Sequence, residues 1–257
     1  MADWGTYMNI YYAVAVFIFG TVIGSFLNVC IYRIPKGESV VYPSSHCTNC
    51  STEIKWFDLV PIVSYIVLRG KCRYCGEKIS AGYPIIEFAT AFLYLMLYVK
   101  FGLSIEFARY AVFTGILIVV SVIDFNTTDV YFSTIVTGIV FALAFILLYW
   151  HMGLEIKSFI YGGILSGLFF TIIIFVTRGG MGWGDMEICL FCGLFLGLKL
   201  SFAAIFLSFM LGSIVGLILI LSGKKSKKDY IPFGPFISIS SIIAIFLGRN
   251  IVNLYVI

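Results

Sequence analysis

Charged residues are scarce in this 257-residue chain: Asp, Glu, Lys and Arg together make up 12% of it, whereas hydrophobic residues make up 61%. The mean hydropathy is +1.04. A soluble domain carries about 25% charged residues, so the composition excludes an ordinary water-soluble domain. The sequence also lacks the basic patches of nucleic-acid-binding proteins and the glycine-rich loops that hold nucleotide phosphates. We therefore expect no nucleic acid among its partners.

Histidine is almost absent, with two in the chain. They do not form the His-Glu-x-x-His pair that holds zinc in many metalloproteases, so that class of enzyme finds no support. His46 stands beside Cys47 and could replace one metal ligand, whereas His151 has no partner pattern. The N-terminus has no basic stretch ahead of its first apolar run, so we do not expect a cleaved signal peptide.

Long uncharged runs dominate instead. Five of them approach or exceed the roughly 20 residues that cross about 30 Å of hydrocarbon, at 4–32, 130–154, 158–177, 200–223 and 230–248. Shorter runs become spans only where the charged residues at their ends lie near an interface. The sequence predicts an all-α polytopic membrane protein with about eight transmembrane helices in contact with the lipid bilayer. Their approximate bounds are 9–31, 83–100, 105–123, 130–150, 157–177, 186–203, 204–222 and 235–254.

The basic residues predict the orientation. Eight helices would leave twelve of the seventeen Lys and Arg residues on one face and five on the other. The positive-inside rule places the richer face in the cytoplasm, with both termini outside. The richer face holds Arg33, Lys36, Lys55, Arg69, Lys71, Arg73, Lys78, Arg178, Lys224, Lys225, Lys227 and Lys228.

The one sizeable hydrophilic segment, 33–84, carries two Cys-x-x-Cys pairs separated by 21 residues, Cys47 with Cys50 and Cys72 with Cys75. Two such turns are typical of a four-thiolate structural zinc site. A loop of this size buries too little core to fold alone, so a metal would stabilise it. Disulfides are not expected in a reducing cytoplasm. A redox or simply reduced set of thiols, and iron in the same geometry, are the alternatives.

Two carboxylates stand at the ends of apolar segments. Asp124 closes Ser-Val-Ile-Asp, and Asp185 follows Gly-Met-Gly-Trp-Gly. A charge at the hydrocarbon boundary is costly, so such acids indicate a functional site. The predicted orientation puts both on the cytoplasmic face. Because two aspartates about 3 Å apart share one proton and work as acid and base, the pair suggests an aspartic protease inside a membrane protein.

Further motifs lie along nearly the whole chain: Gly24-Ser-Phe-Leu-Asn28-Val-Cys-Ile-Tyr-Arg33-Ile-Pro35, Pro43, the two cysteine pairs, Trp56-Phe-Asp58, Pro61, Ser64-Tyr65, Tyr83-Pro84-Ile-Ile-Glu87, Ile123-Asp124, Gly182-Trp-Gly184-Asp185 and Pro232-Phe-Gly-Pro235-Phe. Together they resemble the motifs of one family, the type IV prepilin leader peptidases, which are membrane enzymes of the Gly-x-Gly-Asp aspartic protease group. Two stretches depart from that family's pattern. Val130-Tyr-Phe132 stands where a Leu-Pro-Asp-like stretch is usual, and Glu187 stands where a lysine is.

The resemblance implies a bifunctional enzyme of the bacterial inner membrane with its active site facing the cytoplasm. Its substrates would be prepilins and prepilin-like pseudopilins, cut by Asp124 and Asp185 and then methylated on the new N-terminal residue with S-adenosylmethionine. Asn28, Arg33 and Glu87 are the candidates for holding that cofactor, although they could equally hold the zinc domain onto the helices.

The implied organisation has three parts: a first transmembrane helix at 1–32, a cytoplasmic four-cysteine zinc-binding domain at 33–84, and a multi-helix transmembrane peptidase domain at 85–257. Two functions of other classes stay open at this point. One is a proton- or cation-coupled membrane carrier that uses Asp124 and Asp185, and the other is a zinc-bearing scaffold without enzymatic activity.

Overall fold

The computed structural model describes residues 4–226 and 231–255, so Lys227 and Lys228 of the predicted cytoplasmic face lie outside the described residues. Over these two ranges the chain is helical and has no β-strand, which confirms the prediction of an all-α protein. Short 3₁₀ turns occur at Ile34–Lys36 and Trp56–Leu59. The α-helices are α1 Trp4–Arg33, α2 Val63–Val67, α3 Gly82–Phe101, α4 Ile105–Thr127, α5 Phe132–His151, α6 Lys157–Val176, α7 Trp183–Leu196, α8 Leu198–Leu221 and α9 Gly234–Tyr255.

Six of these helices are long and apolar enough to cross a membrane: α1, α3, α4, α5, α6 and α8. Helix α7 has 14 residues, which extend about 21 Å and fall short of the hydrocarbon thickness. The apolar part of α9 is Gly234–Gly248. The described residues thus support a polytopic membrane protein, and the number of eight spans stays a prediction.

The predicted boundary between the sixth and seventh long helices is wrong. We expected one helix to reach residue 203, whereas α7 ends at Leu196 and α8 begins at Leu198. Gly197 separates them at φ 75° and ψ 171°, a backbone region open essentially to glycine alone. The Leu198 N–H donates to Ser158 Oγ at 3.1 Å. Apart from Lys199 the residues around this point are apolar or small, and hydropathy does not register a break made by one glycine and a distant hydroxyl.

The chain divides into two compact units, Met1–Val119 and Val120–Ile257. In the first unit α1 packs antiparallel on α3 through small residues. A Cβ atom on Gly20 would lie 2.6 Å from Ala91 Cα, and one on Gly24 would lie 2.6 Å from Glu87 Cα. The two glycines four residues apart let the backbones approach closely, as small residues do between membrane helices. This register places Gly24 of α1 level with Glu87 of α3.

The second unit is built around α7. A Cβ atom on Gly162 of α6 would lie 2.6 Å from the carbonyl oxygen of Gly193 in α7, so these two helices also pack through glycine. Phe233, just before α9, packs on Phe209 of α8 with ring centroids 5.3 Å apart and on Phe170 of α6 at 6.4 Å. Because Phe170 is fully buried, this aromatic cluster fixes the chain immediately before α9 begins.

Candidate active site and metal-binding cluster

Asp124 lies in the last turn of α4 and is 2% exposed. Its backbone carbonyl accepts the N–H of Thr128 at 2.8 Å, in the turn that ends the helix. Its side-chain Oδ2 accepts the backbone N–H of Gly234 at 2.9 Å. A carboxylate in such a buried place needs a donor, and here the donor comes from the opposite end of the unit's sequence.

Gly234 is the first residue of α9, so Asp124 sits at the end of a helix where backbone N–H groups have no intrahelical partner and the dipole favours negative charge. A Cβ atom on Gly234 would lie 2.6 Å from Asp124 Oδ2 and 3.1 Å from Ile188 Cδ1. Only glycine fits there without displacing the carboxylate. Sequence reasoning singled out the motif around Gly234 but missed this contact, since residue spacing does not reveal which distant side chain meets a helix end.

Asp185 is the third residue of α7 and is 5% exposed. Its N–H donates to the carbonyl oxygen of Gly182 at 3.2 Å, within the turn that starts the helix. It lies close enough to Asp124 for the charge of Asp124 to act on it. Ile188, one turn further along α7, lies beside Gly234. The structure therefore brings the two predicted acids together where the end of α4, the start of α7 and the start of α9 meet.

Two of the glycines before Asp185 are required for different structural reasons. Gly179 adopts a positive φ of 87°, as a turn residue. Gly184 is helical, but a Cβ atom on it would lie 2.6 Å from Val130 Cγ2, so it is needed for close approach. Val130 opens the stretch that departs from the family pattern. The neighbouring Asp129 is exposed, and its charge also acts on Asp124.

The cysteine pairs form two knuckles with the same backbone pattern. The N–H of Cys47 donates to the carbonyl of Thr52 and that of Ser51 donates back to Cys47, at 3.0 and 2.9 Å. The second knuckle repeats both hydrogen bonds, from Cys72 to Glu77 at 2.8 Å and from Gly76 to Cys72 at 3.0 Å. Such tight turns present two sulfurs in one direction.

All four sulfurs lie within 4.8 Å of one another. Cys47 Sγ and Cys75 Sγ are 3.8 Å apart, and two thiolates on a tetrahedral zinc ion, each at about 2.3 Å, lie about 3.8 Å apart. Cys50 Sγ lies 3.3 Å from Thr52 Oγ1. The Thr52 hydroxyl and backbone lower the pKa of the Cys50 thiol to about 6, whereas desolvation and hydrogen bonds with Cys72 and Cys50 raise the pKa of the Cys75 thiol to about 11. The donor set and its spacing thus fit a zinc ion.

A cavity of about 580 Å³ lies within the first unit, between the four-cysteine segment and the facing ends of α1 and α3. Its volume is in the range of small-molecule sites, about 300–1,000 Å³. The three residues proposed from the sequence as cofactor ligands, Asn28, Arg33 and Glu87, all line it. The structure therefore places the three side chains around one cavity, which their positions in the sequence do not reveal.

Each of these three side chains also holds the surrounding backbone. Arg33 donates to the carbonyl oxygens of Ser39 at 2.9 Å and Pro43 at 2.7 Å. Asn28 donates to the Tyr83 carbonyl at 3.0 Å. Glu87 Oε2 accepts the Ile62 N–H at 2.7 Å. These contacts support the second role considered from the sequence, that of fastening the four-cysteine segment to the helices.

Comparison with known proteins decides the family. Residues 18–101 match the bacterial peptidase A24 N-terminal domain, and residues 111–217 match the type IV leader peptidase family. A prepilin leader peptidase/N-methyltransferase of Bacillus subtilis (strain 168) is 35% identical, over 93% of this chain and 96% of that protein. This chain belongs to the type IV leader peptidase family.

Other members of the type IV leader peptidase family match over similar lengths. Proteins of the same name from Vibrio cholerae and Pseudomonas aeruginosa are 31% and 28% identical; the aligned regions cover 94% and 93% of this chain and 99% and 91% of those proteins. No solved structure matches the chain. Together with the six apolar helices, these relatives support a multi-pass protein of the bacterial inner membrane. The match at 18–101 contains the four clustered cysteines and the cavity, and the match at 111–217 contains both aspartates.

Proposed function

We propose that this chain cleaves the leader peptide of prepilins and prepilin-like pseudopilins with Asp124 and Asp185 as its catalytic carboxylates. The observation that carries the proposal is that these two buried acids lie near each other, where the end of α4 approaches the starts of α7 and α9. The relatives of this chain are named for prepilin cleavage. Both acids lie at helix ends, and cleavage requires that water and the peptide reach them there.

The chemistry needs one proton shared between the two acids. An ionised carboxylate takes a proton from the attacking water, while the protonated partner donates a hydrogen bond to the scissile carbonyl. The Gly234 N–H holds Asp124 in place through both stages. The titrations of such a dyad belong to the pair, so acid and base are roles that the two residues share.

The proposed organisation keeps a first transmembrane helix at 1–32, a cytoplasmic four-cysteine domain at 33–84 that holds one structural zinc ion, and a peptidase domain at 85–257. The excess of Lys and Arg on one face supports the cytoplasmic placement of the four-cysteine domain and of both aspartates. The fit of the four sulfurs supports the metal.

We further propose N-methylation of the newly exposed N-terminal residue, as the names of the relatives suggest. S-adenosylmethionine supplies an electrophilic methyl group for an amine, and its sulfonium is a cation. Carboxylates and aromatic rings bind such cations. The cavity offers the carboxylate of Glu87 and the rings of Tyr32, Tyr65 and Tyr83, so we place the cofactor there.

The cleavage assay tests the first activity. The purified protein in detergent should release the leader from a prepilin, with mass spectrometry locating the cut, whereas a carrier or a scaffold should leave the peptide intact. Asp124→Asn and Asp185→Asn should each abolish cleavage, because either change removes a proton-sharing partner at nearly constant volume. The matched control is Asp129→Asn, which removes an exposed charge near the dyad and should retain cleavage. A folded Asp124→Asn protein that still cleaves would point to another acid.

The methylation assay tests the second activity separately. Asp185→Asn protein should still transfer a labelled methyl group from S-adenosylmethionine to a pilin peptide supplied already cut. Glu87→Gln should weaken methyl transfer more than cleavage. The amide oxygen can still accept the Ile62 N–H, so the fold is kept, whereas the negative charge that would bind the sulfonium is lost. If neither the wild type nor Asp185→Asn transfers label, the chain is a peptidase only.

A further inference from the structure

The segment Trp56–Leu68, which comprises the second 3₁₀ turn and α2, has two different faces. Leu59, Tyr65 and Leu68 line the cavity of the first unit. The opposite face is apolar and open: Trp56 is 80% exposed, and the three aliphatic side chains of α2 are 56–68% exposed. These are Val63, Ile66 and Val67. Exposed apolar clusters of this kind mark contact surfaces.

A hydrogen bond fixes the position of this segment along α3. The Ile62 N–H donates to Glu87 Oε2 at 2.7 Å. Glu87 lies five residues inside α3, whose first residue is Gly82, so the contact is about 7.5 Å along the helix from its start. On α1, the residue level with Glu87 is Gly24, nine residues, or about 13 Å, before the helix ends at Arg33. The segment therefore lies alongside both helices, level with residues inside them and not with their ends.

The chain reverses direction at Ile62, whose backbone conformation is strained. Ile62 has φ 62° and ψ −50°, and the Val63 N–H donates to the Pro61 carbonyl at 2.6 Å. This is the rarer, strained form of the γ-turn, at a β-branched residue for which a positive φ is a true outlier. Such conformations persist where the surroundings impose them. Here the buried Glu87 carboxylate holds the N–H of the strained residue.

Helix α3 also has exposed apolar side chains near Glu87. Ile85 and Phe88 of α3, on either side of Glu87, are 63% and 54% exposed. Within 56–68 the only charged residue is Asp58, which accepts two hydrogen bonds from the Arg73 guanidinium at 2.6 and 2.8 Å. Basic residues flank the segment at Lys55 and Arg69. An apolar surface bounded by cations complements the boundary between acyl chains and anionic headgroups.

We propose that Trp56–Leu68 is an interfacial element that inserts into the lipid leaflet at which α1 ends and α3 begins. Trp56, Val63, Ile66 and Val67 contact acyl chains near the headgroups, at the depth of about 5–10 Å that interfacial helices reach, and Lys55 and Arg69 lie among anionic headgroups. Because the same segment forms one wall of the cavity, the bilayer supports the cavity from outside.

Lipid quenching of tryptophan fluorescence tests this proposal in the full chain. The variant Trp4→Phe/Trp150→Phe/Trp183→Phe keeps Trp56 as its single tryptophan. It is placed in nanodiscs of phosphatidylglycerol and brominated phosphatidylcholine. In one preparation the bromine lies near the headgroup end of the acyl chains, and in the other it lies near their methyl end. We expect bromine near the headgroups to quench Trp56 more than bromine near the chain ends, and acrylamide in the water to quench it weakly.

Two matched variants keep the test decisive. Both carry Trp56→Phe in the same background; one adds Ile66→Trp on the apolar face, and the other adds Tyr74→Trp on the second cysteine knuckle. The first should be quenched by lipid, and the second by acrylamide. Strong acrylamide quenching and no lipid quenching at both positions 56 and 66 would overturn the proposal. If added prepilin alone then shielded these positions, the face would be a substrate-docking surface instead. Neither result bears on peptide cleavage.

Discussion

Asp124 Oδ2 accepts the backbone N–H of Gly234 at 2.9 Å, which joins two residues 110 positions apart in the chain. The contact links the end of α4 to the first residue of α9, and Asp185 at the start of α7 lies within electrostatic reach of the same carboxyl. One backbone donor thus joins two helix ends, and the third lies beside them. The space around that donor is so tight that only glycine can supply it.

Gly234→Ala should reduce prepilin cleavage roughly a hundredfold, because a shift of about 1 Å in a catalytic group costs that much. The added methyl group would lie 2.6 Å from Asp124 Oδ2, so the carboxylate must move. Initial cleavage rates of purified protein provide the measurement. The control is Gly216→Ala, whose Cβ atom would meet nothing closer than Ile231 Cδ1 at 3.8 Å. Equal rates for the two variants would contradict a role for the Gly234 contact.

Gly184→Ala should also impair cleavage, and Val130→Gly should restore it in the double variant. Alanine normally favours a helix over glycine by about 1 kcal/mol, so any loss must come from the clash with Val130 Cγ2 at 2.6 Å. Val130 Cβ would lie 2.7 Å from the same added methyl group, so only glycine at position 130 relieves the clash. Cleavage rates of the wild type, both single variants and the double variant form the experiment. A double variant as poor as Gly184→Ala would mean that the glycine acts in another way.

The purified protein should carry about one zinc ion, lost when any one of Cys47, Cys50, Cys72 or Cys75 is replaced by serine. Metal binding and folding are coupled in small metal sites, so protease cuts should appear mainly within 33–84. Elemental analysis and limited proteolysis report the two effects. Cys30→Ala removes a thiol outside the cluster and should retain the metal. Metal-free protein with a protease-resistant 33–84 segment would favour reduced or redox thiols.

Labelling of introduced cysteines tests the orientation. In a background without the native cysteines, single cysteines at Gly37 and Ser226 should resist an impermeant thiol reagent in intact cells, because the positive-inside rule puts both in the cytoplasm. A cysteine at Lys157 should react. Lysed cells serve as the control in which all three are labelled. Reaction at position 226 in intact cells would overturn the predicted topology.

Much of the architecture was readable from the sequence because a membrane helix is specified locally. Uncharged length predicted the long helices to within a few residues at most ends, and the repeated Cys-x-x-Cys turns predicted the thiolate cluster. The exception was Gly197. There the break depends on a single backbone angle and on the Ser158 hydroxyl from another helix, neither of which changes the hydropathy.

The sequence by itself determined which residue types were available: two acids at the ends of apolar runs, four cysteines in pairs, and small residues spaced four apart in α1. Only the tertiary structure decided their neighbours. It placed Gly234 on Asp124, Val130 against Gly184, and Ile62 on Glu87. The physical reason is that composition and periodicity act within one helix, whereas a hydrogen bond or a steric limit between distant helices depends on how the whole unit packs.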